Sequence, residues 1–175
     1  MGQVLTLEPA RAWRADQARA GLSVVFTNGV FDLLHVGHVR YLQAARALGD
    51  ALVVGLNSDA ATAALKPGRP LVPQAERGEV LAALACVDVV VVFDGTDANA
   101  LVGALRPDVY VKGGDWGQAG GKQPPEAALV AAYGGRIAYL PYLAGHSTSA
   151  LIERIAAGGA AGAHGARAHS RQARH

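Results

Sequence analysis

"SVVFTNGVFDLLHVGHVRYLQAARAL", residues 23–48, decides how this chain folds. It opens on a short Val-rich run and closes on a segment in which Val39, Leu42, Ala45 and Leu48 recur on one helical face. Asn28-Gly29 between them is ordinarily a hairpin signal. No alternating strand follows it, so the better parse is strand, Gly-containing turn, helix. That parse sets His35, Gly37 and His38 where the first strand ends and the helix begins. In open parallel sheets ligands bind outside the carboxyl ends of the strands. A helix N-terminus there offers unpaired N–H groups and a partial positive charge, which suit an anion.

The residue types fit that place. An imidazole donates hydrogen bonds to phosphate oxygens and carries positive charge when protonated. Gly37 removes a Cβ where a phosphate would approach the backbone. Thr27 and Asn28 add neutral donors at the same strand end. Two other readings compete. Two histidines three apart can chelate a transition metal, but a catalytic zinc wants a third protein ligand and no H-E-x-x-H follows. Asp32 is the only nearby carboxylate. The pair could also be ordinary structural histidines. The phosphate cradle is the reading we carry forward, with no protein-built metal site.

Outward from this stretch the pattern alternates. Short apolar runs at 23–27, 51–56, 88–93, 108–112 and 136–140 read as strands covered on both faces. Segments near 8–20, 38–48, 59–64, 74–85, 97–105, 124–133 and 148–157 read as helices. Such alternation predicts an α/β fold, a parallel sheet with helices on both faces joined by right-handed crossovers. Residues 1–21 read as an N-terminal helical extension, 22–157 as the domain and 158–175 as a disordered Gly/Ala/Arg/His-rich tail. The 175 residues suffice for one domain that buries roughly 70% of its unfolded surface. Hydrophobic residues make up 51% and aromatics 6%, so the core must be aliphatic. A net charge of +2 with no basic stripe argues against nucleic acid as a partner. No apolar stretch is long enough to span a membrane and no signal peptide is evident, so a cytoplasmic setting is expected. The lone Cys86, in an apolar context, reads as buried and inert.

Other segments supply candidates with bland alternatives beside them. Lys66 and Arg69, in "LKPGRP", suit a triphosphate or sugar phosphate, or they sit in a solvated loop. Asn57 and Asp59 close the second strand near the first motif, where Asp59 is either a ligand or a helix cap. Arg77 either reaches toward phosphates or pairs with Glu76 or Glu79 on a helix surface. "YVKGGDW" (110–116) ends the fourth strand: Gly113 and Gly114 allow close approach, Lys112 offers charge and Asp115 can accept from sugar hydroxyls. Trp116 covers a base or sugar, or packs over the loop. In "HSTSALIERI" (146–155), Ser147, Thr148 and Ser149 open a helix, and both capping and phosphate contact use that end.

"FTNGVFDLLHVGHVRYL" resembles the signature of the H-x-G-H nucleotidyltransferase superfamily. "LVVGLNSDAATAALKPGRPLVPQAERGEVLAAL", "VDVVVVFD", "RPDVYVKGGDW" and "STSALIERI" follow in order. Together they are similar to the adenylyltransferase domains of the bacterial ADP-heptose synthase family, over about residues 22–155. The resemblance implies a Rossmann-like, doubly wound parallel sheet of five strands in order 3-2-1-4-5. It implies transfer of AMP from ATP to D-glycero-β-D-manno-heptose 1-phosphate with release of pyrophosphate, and Mg2+ bound mainly through the ATP phosphates. A cytidylyltransferase acting on a polyol phosphate such as glycerol 3-phosphate is the neighbouring alternative, and a non-catalytic nucleotide-binding module a third. Carried onto this chain, the resemblance makes His35, His38 and Lys66 the catalytic group. It puts Thr27, Asn28, Gly29, Phe31, Gly37, Lys112, Gly113, Ser147, Thr148 and Ser149 on the nucleotide and its phosphates. Asp32, Asn57, Asp59, Arg69, Arg77, Gly114 and Asp115 would face the acceptor. The chain resembles a stand-alone form, which implies a separate heptose kinase upstream, and a homodimer. "LAGH" before "STS" departs from the Arg-containing stretch of many cytidylyltransferases, and His146 is the notable substitution.

Overall fold

Every apolar run of the alternating pattern becomes a strand of one parallel sheet. The structure is a computed structural model describing residues 1–114, 116, 122–141, 143 and 145–169, the last eleven as backbone only. In chain order the elements are β1 (Gln3–Leu5), α1 (Leu7–Arg19), β2 (Val24–Gly29), α2 (Val36–Arg46), β3 (Ala51–Asn57), α3 (Asp59–Leu65) and α4 (Gln74–Ala82). They continue with β4 (Val89–Phe93), α5 (Asn99–Leu105), β5 (Val109–Gly113), α6 (Ala127–Ala132), β6 (Arg136–Leu140) and α7 (Thr148–His169). The sheet order is β1-β4-β3-β2-β5-β6, with every pair parallel.

The five expected strands lie in the expected order, and β1 is an addition at the edge. Its three residues are too few to show a period. They are recruited by pairing: Gln3, Val4 and Leu5 lie in register with Val89, Val90 and Val91. The Gly2 N–H also donates to the Ala82 carbonyl. A second difference lies at the other terminus. The break expected at Gly158 is not a helix end, because α7 continues to His169; five of the twelve residues from 158 to 169 are alanine, the strongest helix former, alongside four glycines.

Alternate residues of each strand feed two cores. Val24, Phe26, Val53, Val89, Val91 and Tyr110 pack with Ala10 of α1, Leu101, Val102 and Leu105 of α5 and Val130 of α6. Val25, Leu52, Val54, Val90 and Val111 face the other way, onto Leu42 and Ala45 of α2 and Leu81 and Ala82 of α4. Cys86 is half-buried there, and burial pushes its thiol up, away from nucleophilic use.

At the N-terminal rim the strands are held by a repeated device. Asp50, Asp88 and Asp108 each precede a strand and accept from the first backbone N–H groups of its neighbour. Asp50 takes the Ser23 N–H at 2.8 Å, Asp88 the Leu52 N–H at 2.7 Å and Asp108 the Val24 N–H at 2.7 Å. The opposite rim, where β2, β3, β4 and β5 end, is left to loops and helix N-termini.

Candidate active site

At that C-terminal rim the loops enclose a cavity of about 410 Å3. Its floor is the strand-to-helix handover of β2 and α2. His35 is the residue before α2, with extended backbone (φ −141°, ψ 169°), and His38 lies in the first helical turn. The helix therefore starts two residues earlier than the sequence reading placed it. The two rings stack with centroids 3.9 Å apart. Gly37 between them makes the stack possible: a Cβ there would lie 2.9 Å from the His35 ring and 3.2 Å from Cβ of His146. Phe31 is buried and meets His38 edge-on, with centroids 5.5 Å apart. Its φ of +44° is a left-handed conformation that a bulky residue rarely adopts. Such strain concentrates where surrounding structure fixes a functional turn.

The imidazoles are tuned toward neutrality. Burial, then the proximity of His35 and Lys66, pushes His38 down to about 4. Burial and the charge of His146 lower His35 as well. Nδ1 of each ring is buried without a hydrogen-bond partner among the described residues. Two buried polar atoms of that kind, side by side, are an energetic cost unless a ligand answers them.

Cationic and neutral donors surround the pair. Lys66 closes α3 and lines the cavity. Lys112, at the end of β5, donates to Oδ1 of Asn28 at 2.9 Å, and the Tyr110 hydroxyl donates to the same oxygen at 2.9 Å. With two donors on Oδ1, the Asn28 amide nitrogen is the atom presented to a ligand. Gly29, Asn57 and Gly113 complete the strand ends around the cavity. Ser147, Thr148 and Ser149 bring the start of α7 to it. There the Ser147 hydroxyl caps the helix by accepting the Ala150 N–H at 3.1 Å. Thr148 donates to the Leu33 carbonyl at 3.3 Å, tying α7 to the histidine loop.

Some expected residues serve other purposes. Arg77 lies outside the cavity lining and is not a surface partner of Glu76 or Glu79. It is buried, and its guanidinium donates to the carbonyls of Val30, Val72 and Asn57 and to Asp59. Asp59 thus opens α3 and braces Arg77, outside the cavity lining. Thr27 is fully buried and shares a 2.7 Å hydrogen bond with the Tyr41 hydroxyl. Gly114 turns the chain at φ +81° and lies outside the lining. Asp115 falls outside the described residues.

Asp32 and Arg69 do line the cavity, as a pair. Asp32 accepts from Arg69 and from the Leu71 and Val72 N–H groups at 2.9 and 3.0 Å. Burial alone would raise its pKa, but these donors together hold the carboxyl below its ordinary value. Sequence reading missed Val30, Tyr41, Leu65, Thr96, Leu143 and His146 as lining residues. For Thr96 and His146 a signal existed, since both lie in segments that follow a strand at the ligand-binding rim.

A family model described as cytidylyltransferase-like matches residues 26–154. The chain belongs to the cytidylyltransferase-like family. Fold, family and site together make it a nucleotidyltransferase. Among curated relatives, the "Bifunctional protein HldE" of Syntrophotalea carbinolica is 54% identical over 144 residues, 79% of this chain and 28% of that protein. The protein of the same name from Streptomyces coelicolor is 55% identical over 137 residues, 78% of this chain and 29% of the relative. The chain thus spans less than a third of the length of these relatives. A solved structure described as the lipopolysaccharide core biosynthesis protein from Thermoplasma volcanium is 28% identical. It superposes with a TM-score of 0.56 over 70% of this chain and 98% of its own.

Proposed function

We propose that this chain transfers AMP from ATP to D-glycero-β-D-manno-heptose 1-phosphate, giving ADP-heptose and pyrophosphate. The observation that carries the reading is the stacked His35–His38 pair, with two buried unanswered Nδ1 atoms, at the handover of β2 to α2. Support for a heptose acceptor comes from "VKGGD" at the end of β5. The HldE relatives and the lipopolysaccharide-related solved structure point the same way.

The chemistry follows from the wall. A phosphate monoester is already anionic at neutral pH, so no strong general base is needed. One acceptor oxygen attacks the α-phosphorus in line, a P–O bond forms, and the bond to pyrophosphate breaks with its electron pair leaving on oxygen. The protein contributes position and charge stabilisation. In the free site both imidazoles are neutral donors. An arriving polyphosphate favours their protonated forms, so the pair gains charge as the ligand seats. Lys66 and Lys112 neutralise oxygens from two sides, and the start of α7 closes over them.

Among the described residues, no three of His, Cys, Asp or Glu are grouped to hold a metal ion. Asp32, the carboxylate in the wall, is already engaged by Arg69 and two backbone N–H groups. This donor set fits Mg2+ carried by the nucleotide's own phosphates, where it would screen their charge. Among the described residues no helix is long and apolar enough to cross a membrane. On this reading a sugar kinase activity must supply the 1-phosphate.

A panel of four nucleoside triphosphates against heptose 1-phosphate and glycerol 3-phosphate, read by acceptor-dependent pyrophosphate, tests the proposal. Turnover should require ATP and the heptose. CTP with glycerol 3-phosphate would transfer the assignment to a polyol-phosphate cytidylyltransferase. Nucleotide binding without pyrophosphate release from any pair would leave a binding module.

A further inference from the structure

Glu126 is the least expected residue near the cavity. It lies just before α6, is completely buried, and belongs to no motif the sequence offers. Its Oε1 accepts the Ala98 N–H at 2.7 Å, fixing the start of α5 beside the Thr96 loop. Its Oε2 is buried with no hydrogen-bond partner among the described residues and lies 3.8 Å from the Lys112 ammonium. A buried carboxylate with an unanswered oxygen costs stability unless the charge it faces needs it.

Resting on the transferase reading above, we propose that Glu126 is a positioning residue, the counter-charge that holds Lys112 as an ammonium in the cavity wall and registers it against the Thr96 loop. Lys112 needs such a partner. Its side chain is 13% exposed, and burial pushes its pKa down, while Glu126 and Asp97 push it back up. The groups facing it are few. Asn28 of β2 accepts from it, and the rings of Tyr110 and Trp116 lie 5.2 and 5.5 Å from its nitrogen. Glu126 comes from the approach to α6 and Asp97 from the approach to α5. His35, His38 and Lys66 share the cavity. The Tyr110 hydroxyl, raised by burial and by Glu126, stays protonated and cannot supply the negative charge. Asp97 is turned to its own helix, accepting the Asn99 N–H at 3.0 Å. That leaves Glu126 as the carboxylate in ion-pair reach among the described residues.

The chain has only three lysines, Lys66, Lys112 and Lys122, so 13C-lysine labelling gives a spectrum in which each side chain can be titrated directly. Glu126→Gln keeps an acceptor for the Ala98 N–H and removes the charge. The Lys112 midpoint should move to lower pH while those of Lys66 and Lys122 stay. An unmoved Lys112 midpoint in folded protein overturns the proposal. Glu126→Asp keeps the charge and shortens the reach. It should lose stability yet leave Lys112 titrating near its wild-type position, and a displacement as large as that of the Gln variant also overturns the proposal. In turnover, Glu126→Gln should lose roughly tenfold in kcat/KM on the alkaline side relative to neutral pH, as a one-unit fall in a required cation's pKa would give. Adding Lys112→Arg, which does not titrate, should abolish that pH dependence. An equal loss at every pH would mark a merely structural residue. The titration needs no substrate, so failure of the heptose assignment and failure of this proposal are separately visible.

Discussion

Replacing Arg77 by methionine keeps the apolar stem of the side chain and deletes its guanidinium. In the structure that group ties three elements together, donating to the Val30 carbonyl after β2, the Asn57 carbonyl at the end of β3 and the Val72 carbonyl before α4. Its fourth partner, Asp59, has a side chain 44% exposed, so water screens that pair and it contributes little. Hydrogen bonds from a charged donor contribute roughly 1.5 kcal/mol each, so losing three costs about 4–5 kcal/mol. For a chain of this length each kcal/mol moves Tm by about 2–4 °C, which gives a fall on the order of 10–15 °C. Thermal unfolding and kcat/KM should be measured on the same preparation, the latter well below the variant's Tm. The expected result is a large loss of Tm with near-wild-type turnover in the cold. An unchanged Tm with collapsed turnover would refute the brace and return Arg77 to the substrate.

Four further outcomes follow from the site. His38→Ala should slow transfer by a factor of roughly a hundred, as removal of a preorganised donor does, with little effect on Tm. His38 is pushed down to about 4 in the fold against 6.5 ordinarily, so between those values the unfolded chain binds a proton that the native chain does not. Stability should therefore fall as pH drops from about 6.5 toward 4, and His38→Asn should flatten that slope in urea titrations across the range. Nucleotide affinity should move oppositely, rising over the first part of the same descent because bound phosphates favour the imidazolium. Gly37→Ala places a methyl 2.9 Å from the His35 ring; the stack must open, and turnover should fall with the far-UV spectrum unchanged.

The sheet was legible because each Val-rich run carries its own signal, and the order of five strands came with the family likeness. β1 was invisible because its three residues gain their extended shape from β4, not from any pattern of their own. The site divides in the same way. His35, Gly37 and His38 announce themselves by type and spacing at a strand-to-helix turn. Arg77 and Thr27 do not, because their partners are carbonyls and a hydroxyl brought near by folding: Asn57 lies twenty residues from Arg77, and Tyr41 one helix away from Thr27. A local reading sees the polar side chain but not the acceptor waiting for it. Glu126 fails for the same reason, since its two partners lie 28 and 14 residues earlier.

The aspartates at the lower rim have a consequence for how such a protein can change. Asp50, Asp88 and Asp108 lock strand alignment at the end of the sheet farthest from the histidines. On the proposed reading, alignment and acceptor choice are therefore written at opposite ends of the sheet, and effects at such separated positions combine additively. Loops around Lys66, Lys112 and His146 can be exchanged to admit a different phosphorylated acceptor while the strands stay pinned. An engineer could randomise one end of this molecule and leave the other untouched.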